Sequence, residues 1–254
     1  MRYVNYSITK SGNYICDIKP VKTINSCIIT TKEFNIKCIK HVEDKEYEGI
    51  NTILGVEDIR LFNAGNDKIY AIGNVQGNIF YSEYNIKSDI VLLPGNLVNK
   101  LNNIEKNWVI IPSKTNHKII YNWYPKVTIG KIEGKNLIID SQLISPKIFS
   151  TFRGSTNGII IGNEIWLIVH CVHFVSNKRY YYHRFVVLEY SSLFSIKKYS
   201  YPFTLSIKPV EYTLGFIHDE ISDNFIISFS EMDKNSKILS INREKVLSLF
   251  NSSY

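Results

Sequence analysis

The chain has 254 residues, 44% of them hydrophobic and 21% charged, with only Gly 13 and Pro 7; that balance buries a full core and excludes a linker or a low-complexity chain. The formal net charge is +7, yet the basic residues are scattered, and the runs Lys197-Lys198 and Lys37-Cys38-Ile39-Lys40 are too short for a nucleic-acid patch. No apolar run reaches the length of a membrane span, and Met1-Arg2-Tyr3-Val4-Asn5-Tyr6 lacks the apolar core of a secretory signal.

Strand signals dominate from the start of the chain. Tyr3–Val42 supplies a first set. A second group runs from Val56 to Leu93, with strands near Ile59–Phe62, Lys68–Ile72, Asn78–Tyr84 and Ile90–Leu93. Helical spacing is weak, and the two best short helix candidates are Asn96–Ile104 and Glu244–Phe250. A third strand group runs from Asn107 to Gln142. A fourth, Phe152 to Tyr201, contains Asn157–Ile161, a turn at Gly162-Asn163, then Glu164–Val175 and Tyr180–Tyr190, all rich in β-branched and aromatic residues. The fifth, Ile207 to Ile241, contains Asn224–Ser230 and Ile238–Asn242. Five groups of short strands read as an all-β chain, a five-bladed β-propeller forming a single domain over residues 1–254. A β-sandwich is the alternative that also gives many short strands.

In a propeller the first strand of each blade lines the axis, so polar groups remote in sequence converge. Gly55-Val56-Glu57-Asp58-Ile59-Arg60 puts two carboxylates before an arginine, so that Glu57 or Asp58 pairs with Arg60 and aims its fork at a ligand. The same spacing fits an ordinary turn with an internal ion pair. Glu105-Lys106-Asn107-Trp108 places charges, an amide and an indole together, a mixture that suits sugar hydroxyls and the apolar face of a sugar ring; it equally fits a solvated turn with Trp108 in the core. Phe152-Arg153-Gly154-Ser155 offers a guanidinium and backbone donors to an anion such as phosphate. Val169-His170-Cys171 and Tyr182-His183-Arg184 lie in the next two strands, where a buried histidine is more often a core residue than a catalyst. Glu211 and Asp233 bracket the last group, and glycosyl chemistry commonly uses two carboxylates across a pocket.

Taken in order, Gly-x-Glu-Asp-x-Arg, Glu-Lys-Asn-Trp, Phe-Arg-Gly-Ser, Tyr-x-His-Arg-Phe and a final Glu-x-x-x-Gly resemble the five-bladed propeller domains of bacterial glycosyltransferase proteins. Arg2-Tyr3-Val4-Asn5-Tyr6 and Gly12-Asn13-Tyr14 fit the same pattern. More distantly the chain is similar to β-mannoside phosphorylases and related mannosyltransferases. It departs from them at Ile59, where they have proline, at Gly73-Asn74-Val75-Gln76, where a carboxylate is expected, and at Cys171, where the bacterial domains have glutamate. The resemblance implies an axial sugar pocket lined by Asp58, Arg60, Lys106, Asn107, Arg153, His170, Arg184, Glu211 and Asp233.

The resulting expectation is a carbohydrate-active enzyme of glycosyl-transfer type that acts on a mannoside-like sugar phosphate, nucleotide sugar or glycan. Asp58 and Asp233 are the acid/base candidates. Arg60, Lys106, Arg153 and Arg184 bind the anionic leaving group, and Asn107, Trp108, His170 and Glu211 complete the substrate site. No metal or cofactor is expected, since these cations neutralise phosphate charge. Cys16, Cys27, Cys38 and Cys171 form no C-x-x-C pair, which argues against zinc and points to free thiols in a cytoplasmic setting, away from membrane and nucleic acid. The alternatives are a non-catalytic glycan-binding propeller and a protein-interaction scaffold.

Overall fold

A computed structural model of the chain describes residues 2–4, 7–10, 14–15, 21–43, 53–54, 56–63, 69–75, 77–84, 90–92, 96–99, 101–113 and 117–250. Gly12, Asn13, Cys16, Gly55 and Gln76, which figure in the motifs above, lie outside these residues.

The chain is all-β. Its N-terminal part contributes β1 (Arg2–Val4), β2 (Ser7–Ile8), β3 (Tyr14–Ile15), β4 (Val21–Thr30), β5 (Ile36–Glu43) and β6 (Ile53–Leu54). β4 and β5 form a long hairpin, with β1 antiparallel to β4 on its outer side. The next strands are β7 (Glu57–Asn63), β8 (Ile69–Val75), β9 (Asn78–Tyr84), β10 (Ile90–Leu92) and β11 (Asn96–Leu97). β7, β8, β9 and β11 make the second sheet. β10 leaves it and pairs in parallel with β5, so the strand expected at Ile90–Leu93 belongs to the N-terminal sheet.

β12 (Val109–Ile111), β13 (Lys118–Asn122), β14 (Lys126–Glu133) and β15 (Asn136–Ile144) form the third sheet in chain order. In the fourth, β16 (Phe152–Gly154) and β17 (Ile159–Ile161) both pair with β18 (Glu164–Val175), which is followed by β19 (Lys178–Glu189) and β20 (Ile196–Tyr199). The fifth is β21 (Glu211–Asp219), β22 (Asn224–Glu231) and β23 (Asn235–Asn242). The second to fifth sheets are thus consecutive antiparallel meanders.

Their packing follows from the side-chain alternation of a strand. In β18, Ile165, Leu167, Val169 and Cys171 join a cluster with Val109, Ile111, Trp123, Val127 and Ile129 of the third sheet. The intervening Trp166 and Ile168 join Phe216, Phe225 and Ile227 of the fifth sheet. The run Ile165–Cys171 is apolar nearly throughout because both faces are covered, each buried side chain contributing about 1.5–3 kcal/mol. The second and third sheets meet in the same way, through Phe62, Ile72, Ile79, Trp108, Ile110 and Ile119. β7 and β21 also touch, although they belong to the second and fifth sheets.

The helix expected over Asn96–Ile104 is absent. Asn96 and Leu97 pair with β9, and the amides of Leu101 and Asn102 donate to the Glu105 carboxylate instead of to a helical ladder. The second candidate is a short helix, α1 (Arg243–Leu247), capped by the Asn242 side chain accepting from the Glu244 amide at 3.0 Å. Among the described residues no helix is long and apolar enough to cross a membrane.

A candidate polar site where the inner strands converge

Residues on or beside β7, β12, β16 and β21, the first strands of the second to fifth sheets, are tied together by hydrogen bonds and ring contacts. Asn157 laces three of the sheets: its Oδ1 accepts from the Ile110 amide at 3.2 Å and its Nδ2 donates to the Leu61 carbonyl at 3.3 Å. Gly158 adds a backbone bond to the Ile110 carbonyl at 2.8 Å. Gly154 is required by this approach, since a β-carbon there would overlap the Asn107 carbonyl and the Val109 side chain.

Arg60, on β7, is buried, and its Nη1 donates to the Ser155 carbonyl at 3.2 Å. Its Nε has no hydrogen-bond partner among the described residues. Burial holds the guanidinium below its usual pKa, while Tyr212 and Asp58 favour its charge. The Ser155 hydroxyl lies 2.9 Å from His170 Nδ1. The His170 ring meets Tyr212 edge-on at 4.9 Å and stacks on Tyr181 at 5.8 Å. Tyr212 in turn donates its hydroxyl to Asn107 Oδ1 at 3.3 Å. Arg60, Ser155, His170, Tyr212 and Asn107 therefore form one chain of contacts through the second, fourth, fifth and third sheets.

His170 reports the charge of this region. Its pKa is held well below the usual histidine range, first by burial and then by His183, Arg153, Arg60 and Lys106. Arg153 and Lys106 are both exposed, and Arg153 sits opposite His170 in the β16–β18 register. The convergence is cationic, with a neutral imidazole at its centre. Asp58 and Asn107 both hold left-handed backbone, at φ 53 and φ 61, a conformation that Asp and Asn tolerate better than other side-chain-bearing residues. Asp58 occupies an irregularity between Glu57 and Arg60 in the β7–β8 ladder.

Other residues named from the sequence fall elsewhere. Trp108 is 1% exposed, packs in the core between the second and third sheets, and donates its indole N–H to Glu105 at 3.1 Å; it presents no face to a sugar. Arg184 pairs with Val169 while His183 pairs with His170, so strand alternation sends Arg184 to the opposite face of the sheet from His170. There its Nη1 donates to the Ser200 carbonyl at 2.7 Å. Glu211 is fully buried and accepts from the amides of Leu205 and Ser206, both at 2.8 Å. His183 Nδ1 also lies 3.2 Å from Glu211, at an angle that makes no hydrogen bond. The Glu211 carboxylate is thus engaged in holding the loop before β21. Asp233, at φ 52, sits with Met232 in the turn between β22 and β23, where the Met232 amide donates to the Val210 carbonyl just before β21 at 2.8 Å. Ser155, Asn157 and Tyr212 are not among the residues the motifs point to; Ser155 stands in the Phe-Arg-Gly-Ser motif, while nothing local marks Asn157.

Among the described residues no group of three or more His, Cys, Asp or Glu side chains is placed to hold a metal ion. Cys38 and Cys171 are free thiols.

No protein family matches the chain, and no curated protein sequence matches it. Solved structures with a similar path include a thermostable family-43 glycoside hydrolase, 11% identical, with a TM-score of 0.47 over 95% of this chain and 84% of that one. A protein of Bacteroides uniformis ATCC 8492, provisionally assigned as a 6-phosphogluconolactonase, is 11% identical with a TM-score of 0.39 over 93% of this chain and 67% of that one. Drosophila Plexin A, in complex with Semaphorin 1b, is 9% identical with a TM-score of 0.32 over 97% of this chain and 54% of that one. Two of these neighbours bear the names of sugar-related enzymes and one does not. At these scores the likeness carries no argument about this chain.

Proposed function

We propose that the chain is a five-bladed β-propeller that binds a sugar bearing a negatively charged group at the convergent ends of its inner strands. The N-terminal sheet around β4 and β5 supplies the fifth blade. The observation that carries the reading is Arg60: a buried guanidinium whose Nε lacks a partner among the described residues, with Arg153 and Lys106 adding positive charge around the same histidine. A buried donor left unsatisfied costs about 1–3 kcal/mol, and an anion supplies the missing acceptor. Asn107 and the Tyr212 hydroxyl add neutral polar groups of the kind that orient sugar hydroxyls, and the resemblance to propeller domains of glycosyltransferase proteins supports the sugar.

A second reading, glycosyl transfer on a mannoside-like substrate, rests on Asp58. Its left-handed backbone beside Arg60 is the sort of local strain that clusters at reactive sites. Asp233, in the β22–β23 turn beside the segment that leads into β21, is the second acid of this reading.

Thermal-shift and calorimetric titration with mannose, mannose 1-phosphate, inorganic phosphate and a nucleotide sugar tests the proposal. A ligand at a hundredfold its Kd stabilises by about 2.7 kcal/mol. Stabilisation by mannose 1-phosphate that exceeds that by mannose, and that is lost in Arg60→Met, is the expected result. The absence of a shift with every anion rejects the proposal.

A further inference from the structure

His170 stands in a row of cationic and titratable groups. It faces Arg153 across the β16–β18 pairing and His183 across the β18–β19 pairing, so the three side chains lie on one face of the fourth sheet. The elements packed against that face add their own groups. β7 brings Arg60, which one residue joins to His170: Arg60 Nη1 donates to the Ser155 carbonyl at 3.2 Å, and the Ser155 hydroxyl lies 2.9 Å from His170 Nδ1. Lys106, ahead of β12, adds positive charge. β21 brings Tyr212, edge-on to the His170 ring at 4.9 Å, and β19 brings Tyr181, stacked on it at 5.8 Å. Two carboxylates border the row. Asp58 bears on Arg60. Glu211 lies 3.2 Å from His183 Nδ1 and accepts from the amides of Leu205 and Ser206.

His170 is thus kept neutral by two effects: it is 3% exposed, and the charges that bear most on it, those of His183, Arg153, Arg60 and Lys106, are positive. An anion on the Arg60 guanidinium opposes the second effect, because its charge offsets Arg60, Arg153 and Lys106 together and favours the imidazolium. Protonation also re-sorts a hydrogen bond. Both nitrogens of an imidazolium donate, so Nδ1 then donates to the Ser155 oxygen, and the Ser155 hydroxyl turns its own hydrogen to another acceptor. Ser155 is fully buried beside Arg60, where water is a poor candidate for that acceptor and a bound anion a good one.

We propose that an anion bound at the Arg60–Ser155–His170 cluster draws one proton from solvent onto His170, so that the site takes its charged ligand more tightly as pH falls. The inference rests on the proposed function and adds the regulation of that site. Linkage makes the effect reciprocal: what the anion does for the proton, the proton does for the anion. Without the anion the ring stays neutral to well below its ordinary value of 6.5. With the anion it takes up its proton at a higher pH. Between those two points the complex holds more protons than the free protein, and affinity rises as pH falls. Above both points the ring is neutral in either state, and affinity is level.

The test uses inorganic sulfate, whose charge is constant across the pH range, so that any proton taken up goes to the protein. Calorimetric titrations of the wild type at constant ionic strength, in two buffers of different ionisation enthalpy, count the protons. Affinity for sulfate is expected to rise at least about tenfold from about pH 7 to about pH 5, within the single-proton limit of about tenfold per pH unit, with uptake of a large part of one proton per sulfate at the lower pH. In His170→Gln the uptake should vanish and the affinity should vary with pH only as far as the remaining groups carry it. Nuclear magnetic resonance of the wild-type His170 imidazole gives a second reading that needs no variant: near pH 5.5 the ring should pass from neutral to protonated as sulfate saturates the protein. Sulfate that binds without proton uptake, a neutral ring in the saturated complex, or uptake that survives in His170→Gln each overturns the inference and leaves the anion site standing. Sulfate that binds at no pH overturns the anion site itself, and this inference with it.

Discussion

Arg60 and Ser155 are 95 positions apart in sequence and meet at 3.2 Å, guanidinium to carbonyl, in the interior of the molecule. The bond joins the first strand of the second sheet to the segment between β16 and β17, and it engages Nη1 while Nε has no partner among the described residues. Replacing Arg60 by Met removes a buried charge and restores apolar packing at similar volume, a change that is often neutral for stability. The cost left is one backbone carbonyl without its donor, about 1–3 kcal/mol. The expected outcome is a folded Arg60→Met protein, with a midpoint of urea denaturation shifted by no more than that amount, and loss of mannose 1-phosphate binding by at least about tenfold. Arg60→Lys keeps the charge but not the fork, and should recover only part of the affinity.

Two carboxylates serve the architecture in the same manner at two different sheets. Glu105 accepts from the amides of Leu101 at 2.9 Å and Asn102 at 2.7 Å and from the Trp108 indole at 3.1 Å. Glu211 accepts from the amides of Leu205 and Ser206, both at 2.8 Å. Each glutamate pins the loop that delivers the chain to an inner strand, β12 in one case and β21 in the other. Glu105→Ala and Glu211→Ala are each expected to lose roughly 2–4 kcal/mol, since hydrogen bonds to a charged group contribute about 1.5–3 kcal/mol each and water recovers part of the loss. The glutamine variants should fall between, because an amide keeps only one acceptor oxygen. Equilibrium unfolding of the four variants measures this. An undiminished stability in Glu211→Ala would return Glu211 to the list of residues kept for a ligand.

Proton linkage at His170 gives a third prediction. Unfolded, the imidazole titrates near its ordinary value of 6.5; folded, burial and the surrounding cations keep it neutral to a much lower pH. As pH falls below about 6.5 the unfolded chain therefore binds the extra proton, and the native state loses stability. The contribution is fully present above that pH. The slope from one such group approaches about 1.4 kcal/mol per pH unit. His117, also depressed by burial, acts in the same direction. Unfolding free energies measured between pH 7 and pH 5 should fall less steeply for His170→Gln than for the wild type by close to that single-proton slope. Parallel curves would mean that His170 titrates normally in the folded protein.

The sequence shows most plainly those strands that lie between two neighbours. Asn78–Tyr84 and Glu164–Val175 are strands with those bounds; within the latter, Ile165–Cys171 is covered on both faces and is apolar for nearly its whole length. Partnership was less legible. Ile90–Leu92 is a strand, but it pairs with His41–Glu43, a choice made by contacts far along the chain. In the candidate cluster, Arg60, Asn107 and His170 each stand in a short sequence motif, while the contacts that join them come from residues far apart in the chain. His183 and Arg184 are adjacent in one motif, yet the β18–β19 register sends them to opposite faces. Trp108 shows the same limit: the composition Glu-Lys-Asn-Trp is the same whether the indole faces a sugar or the next sheet.

Asp58 and Asp233 separate an enzyme from a binding module. Both hold left-handed backbone, at φ 53 and φ 52, where asparagine is tolerated as well as aspartate, so both Asn variants should keep the fold. Asp58 bears on Arg60 electrostatically, whereas Asp233 lies in the β22–β23 turn. If the protein transfers glycosyl groups with Asp58 as the acid or base, Asp58→Asn should lower turnover by about 10²–10⁴-fold, the usual worth of a positioned proton donor. Ground-state binding should change little, and a comparable loss of turnover in Asp233→Asn would make Asp233 the second acid. If the protein only binds, there is no turnover to lose, and Asp58→Asn should leave affinity for mannose 1-phosphate unchanged or tighten it, because a carboxylate beside an anion site opposes the anion. The measurement is transfer and phosphorolysis on a panel of mannosides and nucleotide sugars, with calorimetric binding alongside. Turnover that survives Asp58→Asn and disappears in Asp233→Asn would assign the acid to the β22–β23 turn beside the start of β21. Turnover on no donor, with Asp58→Asn binding at least as tightly as the wild type, decides for the binding module.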